Sequence, residues 1–405
     1  MKKLMIALFA LAAFTACDKD NNEENPTADR TVLIYMAGEN NLTSWDGNRF
    51  ADDDLLQIKE GVKGMGRNNL IVYVDKAESQ NPYYLCYSNG ELKDSIATEA
   101  DELTADPAVL EKVARKAFTD YPAKSYGLVL WGHSTGWLIN SDSVKYTSMA
   151  RMKARKAYGG DTGNNTTSNS GRYWMNIPSM AKALARLPHL TYIFADCCNF
   201  MCLETAYELR NCVDYIIGSP AEIPGEGAPY DKIVPALFEV SSFYTSIVDI
   251  YYAQRSSGLD LPLSVVKTSE MENLASATRT TLQSFADSFG GSYPDLSNLI
   301  HYYYDYVKKQ EFYDANDFML KFASANDYTA WKQALDRAVV YKKMAKSWMI
   351  NKESWYYYYG GFEMTEERYG GVSMFIPQLN YRGTDNTDIQ QMAWYYAAGY
   401  KEIGW

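Results

Sequence analysis

Histidine and evenly spread cysteine are what this sequence most lacks. Only three histidines stand in 405 residues, so imidazole chemistry has three candidates: His133, His189 and His301. Of the six cysteines, five follow the leader: Cys86, Cys197, Cys198, Cys202 and Cys212. Their odd number and clustering argue against a disulfide framework and leave at least one thiol unpaired in an oxidising compartment. Positive charge is also short. With 39 Lys and Arg against 50 Asp and Glu, the net charge is −11, and the concentrated positive surface needed for phosphate contacts is missing, so nucleic acid is excluded as a partner. Basic substrates suit such a chain better. No apolar run reaches the roughly 20 residues of a membrane-spanning helix, and the glycines of residues 223–230 follow no strand–glycine loop–helix nucleotide pattern.

What is present begins with an address. Met1-Lys2-Lys3 is a positive start, residues 4–14 are apolar, and Thr15-Ala16-Cys17 ends in small residues, the order of an export signal. The Phe14-Thr15-Ala16-Cys17 end resembles a bacterial lipobox, which makes Cys17 the expected lipidated N-terminus after removal of residues 1–16. Residues 17–29 are acidic and carry no large hydrophobic side chain, as a flexible tether should. The expected location is the outer membrane or cell surface of a Gram-negative bacterium, held by a lipid anchor.

From residue 30 to 405 a single α/β unit is expected, with a catalytic core over 30–262 and a helical C-terminal elaboration over 263–405. Apolar runs at 31–36, 69–74, 127–131, 191–195, 215–218 and 371–376 alternate with helical patterns, the signature of a mostly parallel sheet covered by helices. Asp106-Pro107 places a capping acceptor before a proline and opens a helix. Residues 178–187, 203–210 and 270–289 supply further helices, and residues 263–266 a short strand. The 34 tyrosines read mainly as packing and surface residues.

Ligands of open parallel sheets bind at the carboxyl ends of strands, and two strand ends carry nucleophile chemistry. One apolar run stops at His133, followed by Ser134-Thr135-Gly136; another stops at Asp196-Cys197-Cys198 before a helix. A free thiol is only a few per cent thiolate at neutral pH, so it gains from a neighbouring imidazole. Cys198 is the expected nucleophile and His133 its base, with the backbone N–H groups of Ser134 and Cys198 as oxyanion donors. Cys197 is the rival, and strand alternation lets only one of the two thiols face the crevice. Asp196, two before Cys198, falls on the nucleophile's side and offers a carboxylate to a basic substrate. Metal binding by Cys197, Cys198, Cys202 and His133 lacks paired Cys-x-x-Cys spacing, so no metal is assigned.

Taken together, 35–42, 133–137, Asp196-Cys197-Cys198 with 204–209, 218–222 with 224–227, and 371–377 resemble the clostripain family, within the caspase and gingipain clan of cysteine peptidases. The resemblance implies a caspase-like, mostly parallel central sheet with helices on both faces, and a dyad of Cys198 and His133. It further implies cleavage of protein or peptide substrates after Arg or Lys, with Asp196 and Glu226 as acids of the S1 pocket. Self-cleavage between the dyad positions is implied too, and Lys145, Arg151, Lys153, Arg155 and Lys156 supply basic residues in that interval. No cofactor is required; calcium is possible, as in some members, although no calcium-loop pattern appears. The chain departs from the family's commoner Asp-Ala-Cys-Leu-Met in having Asp196-Cys197-Cys198-Asn199-Phe200, and has Ser134-Thr135 where glycines are usual. The alternative reading is a catalytically impaired surface lipoprotein that binds peptide or glycan. A carboxylate-based glycan hydrolase using Asp52-Asp53-Asp54 is the weaker third, because that run suits the start of a helix.

Overall fold

Five near-continuous apolar segments dictate the centre of the molecule, because a strand buried on both faces has no polar side to present. A computed structural model describes residues 28–44, 47–77, 81–139, 157–163, 165–167, 173–254, 261–289, 292–302, 312–346, 348, 363–378 and 385–405. The expected lipidation site Cys17, the basic residues Lys145, Arg151, Lys153, Arg155 and Lys156, and the tyrosine run at 356–359 lie outside the described residues. Strands β1 (Ala28–Gly38), β2 (Asn69–Lys76), β3 (Tyr83–Ser88), β4 (Glu91–Ala97) and β5 (Ala123–Ser134) precede β6 (Tyr158–Asp161), β7 (Tyr173–Met175), β8 (Leu190–Asp196) and β9 (Val213–Gly218). After them come β10 (Leu263–Lys267), β11 (Tyr313–Asp314), β12 (Val339–Lys343) and β13 (Ser373–Met374).

The main sheet runs β12-β10-β9-β8-β5-β1-β2-β3-β4. Its middle, from β9 to β2, is parallel, and antiparallel pairs extend it on both flanks. Fold class is therefore α/β, mostly parallel at the centre. Strand β4 is exposed along its whole length, and Glu91, Lys93 and Asp94 on it discourage pairing with another chain at that edge.

Helices α1 (Phe50–Gly61), α2 (Pro107–Asp120), α3 (Ile177–Leu184), α4 (Leu203–Leu209), α5 (Tyr230–Ala236), α6 (Phe243–Ala253), α7 (Met271–Phe285), α8 (Ala315–Phe322) and α9 (Ala325–Ala338) cover the two faces. Helix α2 begins as its sequence dictates: the Asp106 carboxylate accepts the Ala108 N–H at 2.8 Å, and Leu110, Val113, Ala114 and Ala117 turn inward. Alternation along each strand sorts the core into two layers. Leu33, Tyr35, Leu128, Leu130, Ile193 and Ala195 pack with α2, α3, α4, α7, α8 and α9. Val32, Ile34, Val129, Trp131, Tyr192 and Phe194 pack with α1, α5 and α6.

Two expectations change. Residues 371–376 do not add a strand to the central sheet: Ser373–Met374 pairs antiparallel with Tyr313–Asp314 in a separate two-stranded sheet. There Ser373 N–H donates to the Met201 carbonyl at 3.0 Å and Phe375 N–H to Glu204 Oε1 at 2.7 Å. Its apolarity reports burial, which central and peripheral strands share. His301, which the sequence sets in a tyrosine-rich helical pattern, lies instead in a bridge to Tyr313. Beyond residue 262, β10 and β12 complete the same sheet rather than form another. No helix among the described residues is long and apolar enough to cross a membrane.

Candidate active site

Register puts the adjacent thiols on opposite faces of the sheet. Strands β5 and β8 pair in parallel with Trp131 opposite Asp196, and two residues beyond each lie His133 and Cys198. Because side chains alternate, His133 shares the face of Trp131. Cys198, half-buried, packs against that same layer, whereas Cys197 is buried on the opposite one. Burial pushes the Cys197 thiol well above its ordinary range, and the neighbouring Cys198 and Asp196 add to that, so Cys197 is held as an inert thiol. Cys202 is also buried on the opposite layer, so the sulfurs do not converge on His133 as a metal cage. All five thiols of the described residues are free of disulfides.

The helix expected over 203–210, after Cys198, does begin at Leu203, with Cys202 as its N-cap residue. A turn intervenes, in which Asn199 takes a positive φ of 54°. The segment after β9 holds Cys198: its sulfur accepts the Ile223 N–H at 3.4 Å, and Asn199 N–H donates to the Ala221 carbonyl at 2.9 Å.

His133 has a partner that the sequence did not single out. Its Nε2 lies 2.7 Å from Asn41 Oδ1, an arrangement that suits the tautomer carrying its proton on Nε2. Asn41 follows β1 in a turn that Asn40 shapes, donating its side-chain N–H to the Ala37 carbonyl at 3.0 Å and accepting Leu42 N–H at 2.9 Å. The Asn40-Asn41 doublet at a strand end was the available signal. Beyond His133, Thr135 N–H is spent on the Ala157 carbonyl at 2.8 Å and Gly136 N–H on Ser134 Oγ at 3.0 Å.

The loops that follow β5 and β8 touch through Gly136. It has a φ of +59°, and a Cβ there would lie 2.4 Å from the Asn199 carbonyl oxygen and 3.0 Å from Phe312. Gly136→Ala should therefore cost about 1–3 kcal/mol for the left-handed conformation alone. A lowered midpoint in thermal unfolding, together with reduced turnover, is the expected result; an unchanged midpoint would show that the loops are not in contact.

Asp196 is buried two residues before Cys198. It is 3% exposed, and its Oδ2 accepts Ala228 N–H at 3.1 Å and Tyr230 O–H at 2.9 Å, while Oδ1 accepts Tyr251 O–H at 2.8 Å. Burial raises its pKa, and these three donors oppose the rise. A second acid, Asp54, stands against it: Asp54 Oδ2 accepts Trp131 Nε1–H at 2.7 Å, and burial followed by the charge of Asp196 holds its carboxyl well above the usual range. Gly227 separates the pair from the turn above, since a Cβ at that position would lie 2.9 Å from Asp196 Oδ2 and 3.5 Å from Asp54 Oδ2. Glu226, in that turn, is exposed and close enough to raise Asp54 further. Asp54 was missed because Asp52 and Asp53 do begin a helix; the signal was its place with Phe50 and Ile58 on the buried stripe of α1.

Of the remaining histidines, His189 is exposed and meets Asp214 at 2.9 Å, and burial lowers the pKa of His301. His189 precedes β8 at its amino end, opposite the end that carries Cys198, and His301 bridges to Tyr313 outside the central sheet.

A model of the clostripain family matches residues 34–405. A secreted C11 cysteine protease from Bacteroides thetaiotaomicron, solved with an irreversible peptide inhibitor, is 31% identical; the match covers 93% of this chain and all of that one, with a TM-score of 0.73. An inactive zymogen C11 protease from Parabacteroides distasonis is 28% identical over 92% of this chain and 98% of its own, with a TM-score of 0.71. No curated protein matches the chain. With the family's match spanning nearly all of the sheet and both candidate loops, the chain belongs to the clostripain family of cysteine proteases.

Proposed function

We propose that this cysteine protease is an exported, lipid-anchored endopeptidase that cuts after Arg or Lys through Cys198 and His133. The observation that carries the reading is the shared face of the two strand ends, with Asp196 and Asp54 buried beside the nucleophile. His133 Nδ1 takes the thiol proton, Cys198 attacks the scissile carbonyl to form a thioester as the amine leaves with a proton from His133, and water releases the acid product. Ser134 and Cys198 N–H groups are the oxyanion donors; the Thr135, Gly136 and Asn199 N–H groups already have acceptors. The substrate's basic side chain enters beneath the 224–227 turn, toward Asp196 and Asp54, with Glu226 at the rim. Support for export comes from the leader ending at Cys17 and from the secreted relative.

Activation by self-cleavage within 145–156 completes the proposal, supported by the basic residues placed between His133 and Cys198 and by a zymogen among the similar structures. The test is a time course of purified protein on a denaturing gel. A nick after one of Lys145, Arg151, Lys153, Arg155 or Lys156 is expected in wild type and not in Cys198→Ala, with arginyl and lysyl fluorogenic peptides hydrolysed in step. If wild type and Cys198→Ala both stay silent after trypsin has opened the segment, the peptide- or glycan-binding lipoprotein replaces this reading.

A further inference from the structure

Trp131 and Asp196 stand opposite one another in β5 and β8, and each is tied to an acid-bearing or acid-facing element that the sheet brings to one spot. Asp196 accepts from Ala228 N–H, Tyr230 O–H and Tyr251 O–H, so three of the roughly four lone-pair sites of its carboxylate are taken. Asp54, on α1, is 1% exposed, and among the described residues it accepts from Trp131 Nε1–H alone. The two carboxyl groups are neighbours: from the point where a Cβ on Gly227 would stand, Asp196 Oδ2 lies 2.9 Å and Asp54 Oδ2 3.5 Å away. A buried carboxyl with most of its acceptor sites unused is costly until a donor meets it.

The chain itself brings no cation to this pair. Among the described residues neither Asp54 nor Asp196 forms an ion pair. The charges that act most on Asp54 are those of Asp196, Asp53 and Glu226, and the hydroxyls of Tyr230 and Tyr251 face both acids. A proton takes the cation's place in the empty pocket: burial and the charge of Asp196 favour neutral Asp54, while the three donors around Asp196 favour its charge.

We infer that Asp54 is a specificity-determining residue that makes the pocket prefer arginine to lysine. This preference presupposes the cut after a basic residue proposed above and narrows it. A guanidinium presents five N–H donors in a planar fork, against three on the compact ammonium of lysine. The fork can meet two carboxylates carried by different elements at once, whereas the ammonium is a point charge that Asp196 alone can pair. Weaker hydration lets the guanidinium enter a buried site at lower cost, and the rings of Trp131, Tyr230 and Tyr251, whose polar tips hold the two acids, suit a flat cation. As the guanidinium enters, the proton on Asp54 passes to solvent, so the net charge of the site is the same before and after.

The test compares wild type with Asp54→Asn, both as the full chain, on three fluorogenic peptides that differ only in ending with Arg, Lys or Leu. In wild type, kcat/KM for the arginyl peptide is expected to exceed that for the lysyl peptide by about tenfold or more. That ratio, in which the shared ionisation of Cys198 and His133 cancels, should grow as the pH rises and Asp54 ionises. Asp54→Asn keeps an acceptor for Trp131 Nε1–H; it should lower the arginyl value by about 30-fold or more, as when one partner of a buried charge pair is removed, with lysyl and leucyl values within about fivefold. The pH dependence of the ratio should flatten with it. A wild-type lysyl value equal to or above the arginyl one, or a ratio that Asp54→Asn leaves unchanged in size and pH profile, overturns the inference. Equal losses on all three peptides overturn it too, and mark Asp54 as structural. Wild type that cuts neither basic peptide overturns the basic specificity itself, and this preference with it. Should Asp54→Asn fail to fold, Asp54→Ser carries the same comparison.

Discussion

Replacing Cys198 by alanine is expected to lower turnover of peptide substrates by about 10⁴-fold or more, whereas Cys197→Ala keeps turnover within a few-fold of wild type. The two thiols are neighbours in sequence and opposites in environment. Cys198 is half-buried on the layer that Trp131 and His133 share, and its sulfur is in reach of Ile223 N–H. Cys197 is fully enclosed among the residues packed with α2 to α4, and burial holds its proton on. Its removal leaves a small cavity and should cost about 1–2 kcal/mol of stability, read as a lower unfolding midpoint. Fluorogenic peptide hydrolysis by both folded variants decides the assignment. If Cys197→Ala were inactive while its unfolding midpoint stayed within a few degrees of wild type, the register argument would fail.

How far the sequence reached follows from which signals alternation carries. Strands β1, β2, β5, β8 and β9 were legible because each carries a near-continuous apolar run, buried on both faces over most of its length. The choice of Cys198 over Cys197 was narrowed by periodicity, and the fold adds that Cys198 packs on the layer of Trp131 while Cys197 is buried on the other. Periodicity cannot say which partner a buried segment meets, which is why 371–376 read as a central strand although it docks on Met201 and Glu204. Strands β3 and β4 were not read at all: β4 is exposed on both faces and offers no apolar pattern. Asn41 and Asp54 escaped for a different reason. Their roles arise from contacts 92 and 77 residues away, with His133 and Trp131, and local sequence holds no record of such distances. Asp196 was legible as an acid two before the thiol, but its enclosure by Tyr230 and Tyr251 depends on α5 and α6 folding back over the strand.

That enclosure sets the second large effect. Asp196→Asn should lower kcat/KM for arginyl and lysyl substrates by about 30- to 4000-fold, corresponding to the roughly 2–5 kcal/mol lost when one partner of a buried charge pair is removed, while leucyl substrates change far less. The asymmetry arises because the amide keeps the shape of the floor and much of its bonding to Tyr230 and Tyr251, and loses only the charge that a basic side chain pairs with. The pH dependence has a definite sign. Burial raises the carboxyl pKa values of both Asp54 and Asp196, so their ionised forms are disfavoured relative to exposed carboxylates, and stability is lost as the pH rises through the raised values. A bound guanidinium favours the charged form and reverses that preference. Arginyl substrate binding should therefore weaken as the pH falls, seen as a rise in KM that a leucyl substrate does not share, and Asp196→Asn should flatten the difference. Equal losses for arginyl and leucyl peptides in Asp196→Asn would instead assign Asp196 to holding the Cys198 turn, and would move basic recognition out to Glu226 at the rim.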